Sequence, residues 1–229
     1  YEPGSGITIQ AYAGICAADN LQPNSDDYFH RVSLDEMLAF VTTGGGASCG
    51  TTNATGNTPP TVNATATFTI PARTPFELSA TGSDTNGDSL TWVWEQFDLG
   101  TTANTAGSIV DAGQGPLFRS FAPTLSNSRV FPSWRWILNS ANVAPATAPL
   151  QGSSSPNWLT AEVLPSTNRT LNFRVTARDN RAGGGGTNEA ATALTVVAAA
   201  GPFVVTAPNT AVSWAAGSAQ TISWDVAGT

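Results

Sequence analysis

The run Leu90-Thr91-Trp92-Val93-Trp94-Glu95-Gln96-Phe97-Asp98 and its later counterpart Leu171-Asn172-Phe173-Arg174-Val175-Thr176-Ala177 decide the fold. Both are rich in β-branched and aromatic residues. The second alternates apolar with polar positions, the period of two that turns one strand face toward a core. Working outward, Ala66 to Ile70, Phe76 to Ala80 and Ala191 to Val197 read as further strands, and clusters of Gly, Pro, Asn, Asp and Ser separate them. That spacing predicts a mainly β chain, an immunoglobulin-like antiparallel β-sandwich rather than a βαβ fold. Trp94, before Glu95, suits the tryptophan that such a sandwich buries on its third strand.

Composition narrows the function classes. The 229 residues carry nine basic and sixteen acidic side chains, a net charge of −7, and every basic residue is Arg. A chain without a basic stripe repels phosphate backbones, so nucleic acid is excluded as a partner. No run approaches the ~20 apolar residues of a membrane span. The acidic balance fits an exported protein or one that holds cations.

The first fifty residues differ from the rest. Ser33-Leu34-Asp35-Glu36 has the form of a capping box and predicts a helix whose apolar face is Leu34, Met37, Leu38 and Val41, ended by Gly44-Gly45-Gly46. Residues 51–60, all Thr, Asn, Ala, Gly and Pro, read as a linker. The expected organisation is therefore a loop-helix segment over 1–50, the linker, a sandwich over 61–199 with an insertion at about 101–165, and the first strands of a further β module over 200–229. The last thirty residues are too few for an independent sandwich and must pack on a neighbour if ordered. Tyr1 and Thr229 both read as cut points in a longer protein.

Several separated motifs carry a family resemblance. Gly6-Ile7-Thr8-Ile9-Gln10-Ala11-Tyr12-Ala13-Gly14-Ile15-Cys16, followed by Asn20 to His30, resembles the segment just after the zinc site of secreted bacterial reprolysin-like metallopeptidases. Leu90 to Asp98, Glu162-Val163-Leu164-Pro165 and Ala177 to Gly186 look like the immunoglobulin/PKD-like β-sandwich appended to such enzymes. The resemblance implies export by a bacterium, a parent zinc peptidase acting on protein, and a turn methionine at the position held here by Gln10. It does not make this chain an enzyme. Zinc in such peptidases needs the three histidines of HExxHxxGxxH, and His30 is the only histidine present. Zn²⁺ is thus expected in the parent and not in this chain.

Four groups of residues remain candidates for other chemistry. Cys16 and Cys49 bracket the helical pattern, which suits one disulfide in an oxidising compartment; two unrelated thiols are the alternative. In Gly82-Ser83-Asp84-Thr85-Asn86-Gly87-Asp88-Ser89, the oxygens of Asp84, Asn86 and Asp88, completed by Asp179, have the hard character that Ca²⁺ takes. The competing reading is an Asn-Gly turn with Asx hydrogen bonds. Trp134 and Trp136, two apart in Trp134-Arg135-Trp136-Ile137-Leu138, share a face if that piece is extended and would then suit stacking on a glycan; core packing is the alternative. The expected function is a non-catalytic accessory, spacer or targeting module of the peptidase, facing a protein substrate or a surface polymer. A glycan-binding module, and a β module that self-associates through unfinished strands, are the other readings.

Overall fold

The computed structural model describes residues 1–100 and 106–228; the expected insertion's first residues, 101–105, and residue 229 lie outside the described residues. In chain order the elements are α1 (Arg31–Thr42), β1 (Thr61–Ala64), β2 (Phe68–Pro71), β3 (Phe76–Ser83), β4 (Thr91–Gln96), β5 (Ser128–Phe131), α2 (Trp134–Asn139), β6 (Thr147–Pro149), β7 (Asn157–Leu159), β8 (Arg169–Arg178), β9 (Thr187–Val197), β10 (Val204–Ala207) and β11 (Ser223–Asp225). One sheet has the order β1-β3-β5 and the other β2-β9-β8-β4. All these pairings are antiparallel except β2 with β9, which run parallel. This is the expected immunoglobulin-like sandwich, preceded by a loop-helix segment.

The period-two pattern explains which side chains meet. Phe76, Leu78 and Ala80 of β3 face Leu171, Phe173, Val175 and Ala177 of β8, and all are buried. Phe76, Phe131 and Phe173 form a ring cluster with centroids 4.9–5.9 Å apart. Phe118, from the insertion, joins it edge-on to Phe131 at 5.1 Å. Such pairs add to the burial of large rings, so the insertion completes the core rather than decorating it.

Strand β4 is buried on both faces. Its register pairs Trp92 with Ala177, Trp94 with Val175 and Gln96 with Phe173, so these three point into the sandwich. Trp94 is core, as expected. Val93 and Glu95 point the other way, where residues 28–31 cover them: the Arg31 amide donates to Glu95 Oε2 at 2.9 Å and Arg178 Nη2 donates to the Phe29 carbonyl at 3.0 Å. Ile7, Leu21 and Tyr28 belong to the same buried cluster as the sandwich residues, and Tyr28 Oη is hydrogen-bonded to Ser120 Oγ. The loop part of the N-terminal segment is thus a second cover on β4.

The helix forms, but begins at Arg31 rather than after Ser33. His30 is the N-cap: its Nδ1 accepts from the Val32 amide at 3.2 Å. With Glu95 taking the Arg31 amide, two of the orphan donors of the first turn are met before Ser33 is reached, and Ser33 lies buried inside the helix. Of the expected apolar face, Leu38 and Val41 are exposed. Strands β10 and β11 pair with each other and stay exposed along their length.

Candidate functional site

The four residues expected to hold Ca²⁺ lie at one end of the sandwich, where their oxygens serve the chain. Asp84 Oδ1 accepts from the amides of Asn86 at 2.8 Å and Asp88 at 3.1 Å, an Asx turn that fixes the β3–β4 loop. Asn86 Oδ1 accepts from the Thr58 amide, and Asp88 Oδ2 pairs with Arg181 Nη1 at 3.1 Å. Asp179 accepts from Asn57 Nδ2 at 2.5 Å and from the amides of Arg181 and Gly186. Burial pushes the Asp179 carboxyl up, but these hydrogen bonds and the Arg181 charge outweigh it and hold the group below the usual carboxylate range. Among the described residues, no group of three or more His, Cys, Asp or Glu is placed to hold a metal ion. The network instead staples the 51–60 segment to the sandwich, and Pro60 adds a carbonyl that accepts from Asn188 Nδ2.

The expected disulfide is absent. Cys16 and Cys49 are both free thiols, and each faces its own local turn, Cys16 Sγ toward the Tyr12 carbonyl and Cys49 Sγ toward that of Gly45. Gln10 is exposed in a turn. His30 is buried with its Nε2 3.9 Å from Glu95 Oε1. Burial, and next the N-terminal amino charge, push the His30 imidazole down to about 3, while burial pushes the Glu95 carboxyl up to about 8. Both groups are neutral at pH 7, and with Nδ1 accepting from Val32 the imidazole proton sits on Nε2. This pair pins a loop; it has no opening to a ligand.

The tryptophans expected to share an extended face do not, because residues 134–139 are helical. Two positions along an α-helix subtend about 200°, so Trp134 points outward, 60% exposed, and Trp136 inward, 7% exposed. Glu162, itself buried, decides this. Its carboxylate accepts from the Ser133 amide at 3.0 Å, from Ser133 Oγ at 2.7 Å and from Trp136 Nε1 at 2.8 Å, and Arg129 Nη2 stands 3.5 Å away. One carboxylate thus satisfies the residue before the helix and anchors the inward indole, which an extended segment could not offer together.

The two tryptophans still line one cleft. It lies between α2 and the β6–β7 hairpin, has a volume of about 770 Å³, and is walled by Trp134, Trp136, Trp158, Arg119, Arg135 and Glu162, among others. Trp158, half-buried, stands on β7 opposite Ala148. Arg135 lies 4.3 Å from the Trp136 ring centroid and donates from Nη1 to the Pro149 carbonyl at 2.9 Å, tying helix to hairpin. Arg119 reaches the Leu21 carbonyl and Gln22 Oε1, which ties the cleft floor to the N-terminal cover. A second cavity of about 320 Å³ adjoins the first. Trp134, Phe121 and Ser133 line both, and Trp92 and Trp94 stand behind the second. The result is a groove of two adjoining cavities that share an exposed indole.

Trp158, Arg119, Arg135 and Glu162 are not singled out as a site by any pattern in the sequence. They lie up to 43 positions apart and meet through the β-bridge of Phe118 with Glu162, the Trp136–Glu162 hydrogen bond and the contact of Arg135 with the β6–β7 hairpin. A larger cavity, about 1,130 Å³, lies between the Pro202–Val205 stretch and Val143, Val163 and Leu164. Its wall is mainly apolar, and both acids that line it are taken up, Asp111 by Arg169, Ser166 and Thr167 and Glu162 by Ser133 and Trp136.

No family model matches the chain, and no curated protein matches it. Among solved structures it is similar to AggA, the major subunit of aggregative adherence fimbriae type I from Escherichia coli, with 15% identity and a TM-score of 0.22, over 61% of this chain and 95% of that one. A likeness at that score carries no argument about this protein.

Proposed function

We propose that this chain is a non-catalytic binding module that takes a glycan in the groove beside α2. The observation that carries this reading is the exposed face of Trp134, set between two adjoining cavities, with Trp158 on the hairpin lining the larger one. An indole face is a flat, electron-rich surface that suits the C–H face of a pyranose ring, and stacking of that kind tolerates a repeating polymer. Ordered polar groups at the rim, such as Asn139 and Gln151, suit hydroxyls. Two adjoining cavities suit a chain of sugars better than a single one.

The motifs that resemble secreted reprolysin-like peptidases support a wider version of the same reading. In it the module is exported by a bacterium and holds a zinc peptidase near a polymer-coated substrate, the metal belonging to the enzyme and not to this chain. The test is affinity electrophoresis through gels containing soluble polysaccharides, neutral and acidic. The protein is expected to be retarded by at least one, and Trp134→Ala and Trp158→Ala to migrate freely in that gel with unchanged melting temperatures. Free migration in every gel, or retardation that survives both substitutions, would overturn the proposal.

A further inference from the structure

We infer that the groove selects a carboxylate-bearing glycan, a polymer of uronic acid type, with Arg135 as the specificity-determining residue. This rests on the glycan reading above and adds the charge of the ligand. The protein has nine arginines, and five of them, Arg31, Arg129, Arg169, Arg174 and Arg181, stand within ion-pair distance of a carboxylate. Among the described residues, the other four, Arg73, Arg119, Arg135 and Arg178, have no such partner, and two of these, Arg119 and Arg135, line this cleft. Arg119 is 8% exposed, and its Nε has no hydrogen-bond partner. The one carboxylate in the wall, Glu162, accepts from Ser133 and Trp136 and shares its charge between Arg129 and Arg119, so it does not offset Arg135 as well.

Arg135 is the better placed of the two to meet a ligand. It is half-buried, lies over Trp136, and commits one of its five N–H donors to Pro149, which leaves a planar fork beside the exposed indole of Trp134. A sugar ring on Trp134 would carry its carboxylate toward that fork, and a charge-assisted bidentate pair is the strong form of the contact. A neutral sugar would leave the Arg135 charge in a half-enclosed cleft without a counter-ion. The net charge of −7 opposes any polyanion at long range. At about 0.15 M salt, however, that field is screened beyond ~8 Å, and the local arginines decide.

The experiment compares oligogalacturonate with its methyl ester, identical rings that differ only in charge, by isothermal titration at about 0.15 M salt. Oligogalacturonate is expected to bind about tenfold or more tighter than the ester. Arg135→Gln should abolish that difference and Arg135→Lys should keep part of it, which separates loss of charge from loss of fold. Equal or tighter binding of the ester by the native protein, or a preference for the acid that persists in Arg135→Gln, would overturn this inference and leave the glycan reading standing. If neither oligomer nor any neutral one binds, the glycan reading itself falls.

Discussion

The loop end of the sandwich and the cleft beside α2 are made from similar polar material, yet they are put to opposite uses. At the loop end, Asp84, Asn86, Asp88 and Asp179 face amides, Asn57 and Arg181, and so close a segment onto the fold. At the cleft, Glu162 does most of that structural work, helped by Arg119 and by one N–H of Arg135, which leaves the rest of the Arg135 fork, Trp134 and Trp158 with surfaces that the chain itself does not use. A residue type suited to binding is therefore a poor guide by itself. What matters is whether its donors and acceptors are already answered.

The largest effect expected is at Glu162. Glu162→Ala leaves Ser133 and Trp136 without their acceptor and the buried Arg129 without its counter-charge, and should cost about 3–5 kcal/mol in urea denaturation. A loss under about 1 kcal/mol would mean that the cleft does not depend on this carboxylate.

The pH profile of stability sharpens the contrast, because above about pH 4 the buried His30–Glu95 pair governs it, and Asp179 at the loop end, held below the usual carboxylate range, adds a loss only at lower pH. His30 is pushed down from 6.5 to about 3, so its contribution is lost as pH falls through that window. Glu95 is pushed up from 4.5 to about 8, so its contribution is full below 4.5 and lost as pH rises toward 8. Between 4.5 and 6.5 the two slopes oppose each other. The midpoint of chemical denaturation should be flat there and fall on both sides, and His30→Gln should remove the acid-side fall above about pH 4 while leaving the loss from Asp111 and Asp179 below it.

Next in size, Asp179→Ala should cost about 1–3 kcal/mol, since the amides of Arg181 and Gly186 and the side chain of Asn57 lose their acceptor. Calcium then serves as the probe that could break the comparison. Calorimetry with added Ca²⁺ or with chelator is expected to give the same melting temperature. A rise with Ca²⁺ would mean that Asp84 Oδ2, buried without a partner, answers a cation after all. Smallest of all, Trp134→Ala should change stability by no more than about 0.5 kcal/mol, because its indole is exposed.

The strands that form the sandwich were readable because burial on one face imposes period two, and Phe76, Leu78, Leu171, Phe173 and Val175 show it plainly. Strand β4 was readable as a strand but not as doubly buried, since its second cover comes from residues 28–31, about sixty positions away. The helical state of Trp134–Asn139 was not readable either. It depends on Glu162, and a six-residue segment holds no periodicity strong enough to announce it. For the same reason the two tryptophans were legible as candidates, while Arg135 and Trp158, which give the cleft its chemistry and its far wall, were not. The Asx turn at Asp84 was legible as one of two readings, and its hydrogen bonds form.

The most direct test of the groove is to watch the seven indole N–H signals by NMR while oligogalacturonate is added. The account predicts that the signals of Trp134 and Trp158 move and saturate together, with Trp214 and Trp224 on the distant C-terminal stretch unmoved. Shifts confined to Trp214 and Trp224, or no shift in any indole at saturating ligand, would contradict it.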